Sequence, residues 1–260
     1  MKDVLESETT VSASGFDAIV VIAADAAVRT AAAVLARTLD LPFCDTAPPR
    51  AVLRLVQSEL HLALHDCISG ARFSVELNSA RLRRYRAGGD PLRRAIGPGR
   101  RHVVDATAGF GSDAVHLVAL GHRVTAIERN AIVSALVQDG LARARAQGLL
   151  DDDNPRWLMG DARTLLPQLT PRPATIYLDP MFPPKRRKSA AVRKEMNLLR
   201  RLAIDDPDAL ELLAVARACA ADRVVMKRPI GAAPLAADVA AVYSGKLVRY
   251  DVYRTRDARS

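Results

Sequence analysis

Aromatic residues make up only 4% of this 260-residue chain, and it has three cysteines, Cys44, Cys67 and Cys219. Cysteines so few and so scattered exclude a disulfide framework and offer no metal-ligand spacing; they are expected as small buried hydrophobes in a reducing compartment. His61 and His65 share one alternating stretch, but no cysteine or carboxylate is spaced to complete a set of ligands, so no metal is expected. No apolar run reaches the length of a membrane span. The opening MKDVLESETT carries acids and no apolar h-region, which argues against a signal peptide and for a cytoplasmic protein. Repeats and low-complexity tracts are missing as well. Acids are outnumbered, with Asp+Glu 29 against Lys+Arg 38, and the net charge of +9 favours a polyanionic partner.

A chain of this length buries roughly 70–75% of its unfolded surface, and a hydrophobic content of 49%, rich in alanine, supplies the core. The chain is organised around residues 102–129, HVVDATAGFGSDAVHLVALGHRVTAIER. The short β-branched run Val103-Val104 reads as a buried parallel strand closed by Asp105. A small-residue loop follows, in which Gly109 and Gly111 can take positive φ and let a ligand approach the backbone. Ser112 and Asp113 stand where a helix begins and are expected to cap it. Val115, Leu117, Val118 and Leu120 fill that helix, Gly121 ends it, and a second strand over 123–127 delivers Glu128.

A glycine loop entering a helix leaves N–H groups facing a ligand, and a carboxylate after the second strand can accept from both hydroxyls of a ribose. Gly109-x-Gly111-x-x-Ala114 also fits the dinucleotide fingerprint. In nicotinamide enzymes, however, the first glycine follows the strand almost at once, whereas here Asp105 comes first, in D-A-T-A-G-F-G. That pattern is similar to the first motif of class I S-adenosylmethionine-dependent methyltransferases.

Upstream, residues 17–23 read as a strand, 25–38 as an alanine-rich helix, and 51–57 and 59–65 as alternating strands joined at Ser58-Glu59, with a third at 73–77. Residues 81–101 hold eight arginines and one acid, Asp90, with Gly88-Gly89 and Gly97-Pro98-Gly99 as punctuation; they read as a basic linker. Domains are therefore expected at 1–94 and 95–260. Downstream, a helix spans 131–147, weakened locally by Gly140. A short strand over 156–159 leads to Asp161-Ala162, where an acid can accept from an adenine amino group. A helix at 209–220, a strand at 223–226 and an antiparallel strand at 246–253 complete the chain.

The most informative chemistry follows the buried strand ATIYL: Asp179-Pro180-Met181-Phe182. It is similar to the [D/N/S]-P-P-[F/Y/W] loop of amino-group methyltransferases, with Met in place of the second Pro. An exocyclic amine on a base gives its lone pair to the ring and is a poor nucleophile. A carboxylate and a backbone carbonyl, here Asp179 and Pro180, can accept its N–H bonds and stabilise the developing charge, while Phe182 can stack on the base. A second basic run follows directly, with Lys185, Arg186, Arg187, Lys188, Arg193 and Lys194 placed to meet phosphates beside the target.

Four segments, DATAGFGSDA, ERNAIVSALVQDGLARA, YLDPMFPPKRRKSAAVRKEM and VVMKRP, together resemble the ribosomal RNA small subunit methyltransferase J family. The resemblance implies a Rossmann-like class I methyltransferase sheet carrying a smaller N-terminal α/β region. It implies methyl transfer from S-adenosylmethionine to the exocyclic N2 of a guanine in small-subunit (16S) rRNA, free or within the 30S particle. It also implies cofactor contacts at Ser112-Asp113, Glu128-Arg129, Asp161-Ala162 and Asp179, alongside Asp105, Gly109 and Gly111. The sequence departs from the family pattern at Ser112, where Arg is expected, and at Asp161-Ala162, where Ser-Ser is expected. The same D-P-x-F loop would serve an amino methyltransferase acting on DNA adenine or protein glutamine, and a non-catalytic rRNA-binding assembly factor could keep the fold. The presence of both Asp179 and Phe182 argues against the latter, and the flanking basic runs argue against a protein substrate.

Overall fold

The computed structural model describes residues 19–46, 51, 53–86, 90–180 and 208–255. Contacts divide the chain into two compact units, Met1–Phe73 and Ser74–Ser260.

In the first unit, β1 (Ile19–Ala23), α1 (Arg29–Leu39) and β2 (Leu53–Gln57) form a parallel crossover, and β3 (Leu62–Asp66) and β4 (Arg72–Phe73) add antiparallel to it in the order β1-β2-β3-β4. The turn between β2 and β3 closes where Ser58 N–H and its hydroxyl both donate to the His61 carbonyl, at 3.1 and 2.8 Å. The expected strand at 73–77 is cut to Arg72–Phe73. Cys44 and Cys67 pack against Val20, Ile22 and Ala51, and all three cysteines of the chain are free and half-buried rather than buried.

The second unit begins with two helices where a linker was expected, α2 (Ser79–Arg86) and α3 (Pro91–Ile96). Helix α2 packs on the helix that follows the glycine loop, and α3 on the far strands of the second sheet, so both belong to the unit that begins at Ser74. Helix α3 has its own local logic. Asp90 caps it by accepting from Leu92 N–H at 2.9 Å, Pro91 opens it, and Leu92, Ala95 and Ile96 are fully buried. There follow β5 (His102–Asp105), α4 (Ser112–Ala119), β6 (Arg123–Glu128), α5 (Ala131–Ala146), β7 (Arg156–Met159), α6 (Ala162–Leu165) and a 3-10 turn at Leu166–Gln168. The chain continues through β8 (Thr175–Leu178), α7 (Ala209–Cys219), β9 (Arg223–Pro229), β10 (Ala241–Ser244) and β11 (Val248–Arg254).

The sheet order is β10-β11-β9-β8-β5-β6-β7. The strands from β9 to β7 are parallel, and β11 and β10 pair antiparallel beyond them. From β5 the chain steps outward to β6 and β7, then returns across β5 to β8 and β9. The topology therefore switches direction between β5 and β8, and open α/β sheets bind ligands in the crevice at such a point, beyond the carboxyl ends of the strands. Both faces are covered, which is why all four residues of β8 are buried, with the Thr175 and Tyr177 hydroxyls hydrogen-bonded. Alternation sends Val103, Tyr177 and Val225 to the face shared with Leu92, Ile96, Ala114 and Leu117. Val104, Ile176, Leu178, Val224 and Met226 point to the other, against Leu212, Leu213 and Ala216 of α7. Gly140 in α5 has a packing role: a Cβ there would lie 2.7 Å from both the backbone and the side chain of Val75. Among the described residues no helix is long and apolar enough to cross a membrane.

Candidate active site

The loop between β5 and α4 is held at every turn. Ala106 N–H donates to the Tyr177 carbonyl and Ala108 N–H to that of Ile127, each at 3.0 Å, and Gly111 N–H donates to Ala108 at 2.8 Å. Gly109 and Gly111 have φ of +52° and +74°, the left-handed region that favours glycine. At Gly111 a side chain is doubly excluded, since its Cβ would sit 3.2 Å from Val137 and 3.5 Å from Trp157. At Gly109 a Cβ would meet nothing within 4 Å, so the loop turns an open side outward. Helix α4 is capped by Gly111. The expectation that Ser112 and Asp113 cap it is corrected: Ser112 is already the first helical residue, and Asp113 Oδ2 turns to the sheet and accepts from the Tyr177 hydroxyl at 2.6 Å and the Lys227 ammonium at 2.7 Å.

Glu128, at the end of β6, is 5% exposed and grips the loop from below. Its Oε2 accepts from Gly109 N–H at 2.8 Å and its Oε1 from Asn130 N–H at 2.7 Å. Asn130 in turn caps α5 through Ile132 and Val133 N–H, both at 3.0 Å. Arg129 pairs with Asp208 at 3.3 Å. Asp161 caps α6 by accepting from Arg163 N–H at 2.8 Å and also binds the Arg163 guanidinium at 2.6 Å, which holds its carboxyl below the usual range. That carboxylate is thus engaged locally. Gly160 N–H donates to the Glu128 carbonyl at 2.9 Å, which brings Asp161-Ala162 level with Glu128 along the sheet edge.

Five ionisable side chains, Asp105, Asp113, Tyr177, Asp179 and Lys227, meet on the α4 face of the switch point. Asp105 ends β5 and is 1% exposed. Its Oδ1 accepts from Thr107 N–H at 3.2 Å, but its buried Oδ2 has no hydrogen-bond partner among the described residues. Burial, reinforced by the nearby Asp113 carboxylate, pushes the Asp105 carboxyl well above the usual range and favours its neutral form. Asp179 follows β8, and its N–H donates to Thr107 Oγ1 at 2.6 Å, tying the end of that strand to the glycine loop. Pro180 is buried beside it. Lys227, level with Asp179 on β9, bridges Asp179 Oδ2 and Asp113 Oδ2, at 2.7 Å to each. Burial alone would raise Asp113 and lower Lys227, yet their mutual attraction and hydrogen bonds win: Asp113 is held below its ordinary value and Lys227 well above its own. Burial and the Asp113 charge push the Tyr177 phenol well above its ordinary value, so it stays a donor.

The structure therefore brings together Asp105, Gly109, Gly111, Asp113, Glu128 and Asp179 at one edge of the sheet, with Ser112 opening α4. Phe182 and Lys185, Arg186, Arg187, Lys188, Arg193 and Lys194 lie outside the described residues. Among the described residues no group of three His, Cys, Asp or Glu could hold a metal ion. Sequence reasoning gave no role to Lys227, Tyr177 or Thr107. The available signal was a lysine ending the apolar run Val224-Val225-Met226 in register with the strand before Asp179.

Residues 35–255 match the family model described as putative SAM-dependent methyltransferase. The chain is 42% identical over 240 residues to the ribosomal RNA small subunit methyltransferase J of Thioalkalivibrio sulfidiphilus, covering 87% of this chain and 94% of that one. It is 41% identical over 248 residues to that of Alkalilimnicola ehrlichii, covering 86% and 90%. A crystal structure of a SAM-dependent methyltransferase from Neisseria gonorrhoeae matches the fold with a TM-score of 0.70 at 30% identity, over 92% of this chain and 96% of that one.

Proposed function

The chain belongs to the ribosomal RNA small subunit methyltransferase J family, and from that premise we propose that it methylates the exocyclic N2 of a guanine in small-subunit rRNA. The cofactor is S-adenosylmethionine. The residues at the switch point fit it: a glycine loop with an open side at Gly109, a carboxylate at Glu128 beside that loop as the candidate for the ribose hydroxyls, and a buried Asp105 Oδ2 without a hydrogen-bond partner among the described residues. Asp105, Gly109, Gly111, Ser112, Asp113, Glu128, Arg129, Asp161 and Ala162 are the candidates to hold it. When bound, it supplies an electrophilic methyl on a sulfonium sulfur.

The single observation that carries the reading is the hydrogen bond from Asp179 N–H to Thr107 Oγ1, which joins the residue after β8 to the glycine loop and so supports a target amine and a cofactor meeting there. Asp179 and the Pro180 carbonyl accept the N–H bonds of the target amine and turn its lone pair toward the methyl. The Asp179 carboxylate would stabilise the positive charge that grows on the amine nitrogen as it is methylated. The methylated nitrogen is acidic and then sheds a proton, so no base has to act before transfer. Orientation of this kind supplies roughly 7–11 kcal/mol. Phe182 provides the stacking face for an unstacked base. Lys185, Arg186, Arg187, Lys188, Arg193 and Lys194 take the flanking phosphates. The substrate is rRNA, free or in the 30S particle, which places the enzyme in the cytoplasm.

Transfer of tritiated methyl to rRNA, 30S particles and DNA, followed by nucleoside analysis, tests the reading. Label is expected in N2-methylguanosine from rRNA. Label in DNA adenine, or none in any nucleic acid, overturns it. Asp179→Ala is expected to cost about 2.7–4 kcal/mol of barrier, the value of a lost oxyanion-type contact.

A further inference from the structure

We propose that Lys227 is a positioning residue, whose ammonium fixes the Asp179 carboxylate in its amine-accepting orientation by anchoring it to Asp113 on α4. The inference rests on the reading above, in which Asp179 accepts from the target amine.

The argument starts from register. Leu178 pairs with Met226, so the next residues, Asp179 and Lys227, leave their strands side by side. Side chains alternate, and Tyr177 and Val225 already face α4, so Asp179 and Lys227 face it too. There the Lys227 Nζ lies 2.7 Å from Asp179 Oδ2 and 2.7 Å from Asp113 Oδ2. Asp113 accepts a second bond from the Tyr177 hydroxyl at 2.6 Å, so the anchor is itself fixed from the sheet. Asp179 thus inherits its placement from two rigid elements, β8 and the first turn of α4, through one cation.

Charge explains why a cation is needed. Asp105, Asp113 and Asp179 converge on this edge, and like charges this close raise one another's affinity for protons. Asp105 meets the conflict by favouring its neutral form, driven first by burial. The Lys227 ammonium lets the other two carboxylates sit together. A lysine suits the task, being a compact point charge with three donors, whereas a planar arginine fork needs more room. A neutral lysine amine beside an electrophilic methyl would itself be a nucleophile. The two carboxylates keep Lys227 protonated, without a lone pair.

The test compares Lys227→Met, Lys227→Arg, Asp179→Ala and the double variant Lys227→Met/Asp179→Ala in single-turnover methylation of rRNA at saturating cofactor and RNA. S-adenosylhomocysteine affinity is measured in parallel. Lys227→Met is expected to slow turnover about 10- to 100-fold, the range of a lost charge-assisted hydrogen bond. Lys227→Arg should recover part of that loss, and S-adenosylhomocysteine affinity should change far less than turnover. Because Lys227 acts through Asp179, the double variant should be no slower than Asp179→Ala alone. The acid limb of the rate profile should move to higher pH in Lys227→Met, since among the described residues the groups then left around Asp179 are the Asp105 and Asp113 carboxyls and the Tyr177 and Tyr250 phenols, none of them cationic.

Wild-type turnover in Lys227→Met, additive losses in the double variant, or a loss confined to cofactor affinity each overturn the inference. If Lys227→Met does not fold, Lys227→Gln, which keeps a donor of similar reach, carries the same cycle. An inactive wild type would instead overturn the functional reading, and an active wild type with an inactive Asp179→Ala keeps that reading intact whatever Lys227 does.

Discussion

Replacing Glu128 separates the clamp that the structure shows from the ribose contact proposed for the same carboxylate. Its two oxygens accept from different N–H groups, Gly109 at 2.8 Å and Asn130 at 2.7 Å, and the residue is 5% exposed. Glutamine has only one oxygen. In Glu128→Gln one of those two N–H groups must face an NH2 group and lose its acceptor, which costs about 1–3 kcal/mol in a buried position. For a unit of this size each kcal/mol shifts Tm by roughly 2–4 °C, so a fall of about 2–12 °C is expected. Glu128→Ala removes both contacts and also the ribose acceptor. Each charge-assisted ribose bond is worth about 1.5–3 kcal/mol, and 1.4 kcal/mol is a factor of ten. S-adenosylhomocysteine should therefore bind Glu128→Ala at least about tenfold more weakly. Calorimetry with S-adenosylhomocysteine, paired with thermal unfolding of the same preparations, reads both effects. If Tm falls while affinity is unchanged, Glu128 is only a clamp on the glycine loop, and its assignment to the ribose is wrong.

Two further outcomes follow from charge. Neutralising Arg186, Arg187 and Lys188 together should weaken RNA binding across sequences and flatten its salt dependence by about 0.7 log units per lost phosphate contact on single-stranded RNA, with cofactor affinity unchanged; an unaltered slope in a salt titration would make the run a solvated face. Asp222 accepts from Arg101 at 2.7 Å and Arg223 at 3.0 Å, and although burial works to raise its carboxyl, these guanidinium groups hold it below the ordinary value. A depressed folded-state pKa means the contribution is present above the unfolded value, about 3.9, and is lost as pH falls through the folded one. The stability gap between wild type and Asp222→Asn should therefore be full at neutral pH and close below about pH 4; a gap that persists to the lowest pH at which denaturant unfolding can be followed would refute this.

Several expectations failed for one physical reason. The arginine-rich stretch at 81–101 looked like a linker because α2 has little apolar periodicity and α3 is short; what makes them helices of the second unit is their docking on α4, β10 and β11, far away in sequence. Gly140 looked like a local weakness in α5, yet it is where Val75 crosses within 2.7 Å of a would-be Cβ. Asp113 looked like a cap because it stands at a helix start, but a lysine 114 residues later turns it inward.

What the sequence by itself determined was local: the strand ending in Asp105, the positive-φ glycines at 109 and 111, the helix after them, the acid at 128 and the Asp179 loop. Each is written within a few residues, where steric freedom, β-branching and apolar period act directly on the backbone. Only the tertiary structure decided which of these ends lie side by side. Strand order across the switch point is set by packing both faces of one sheet, a property of the whole chain. That order puts Lys227 between Asp113 and Asp179 and leaves Asp105 buried with one oxygen unpaired among the described residues.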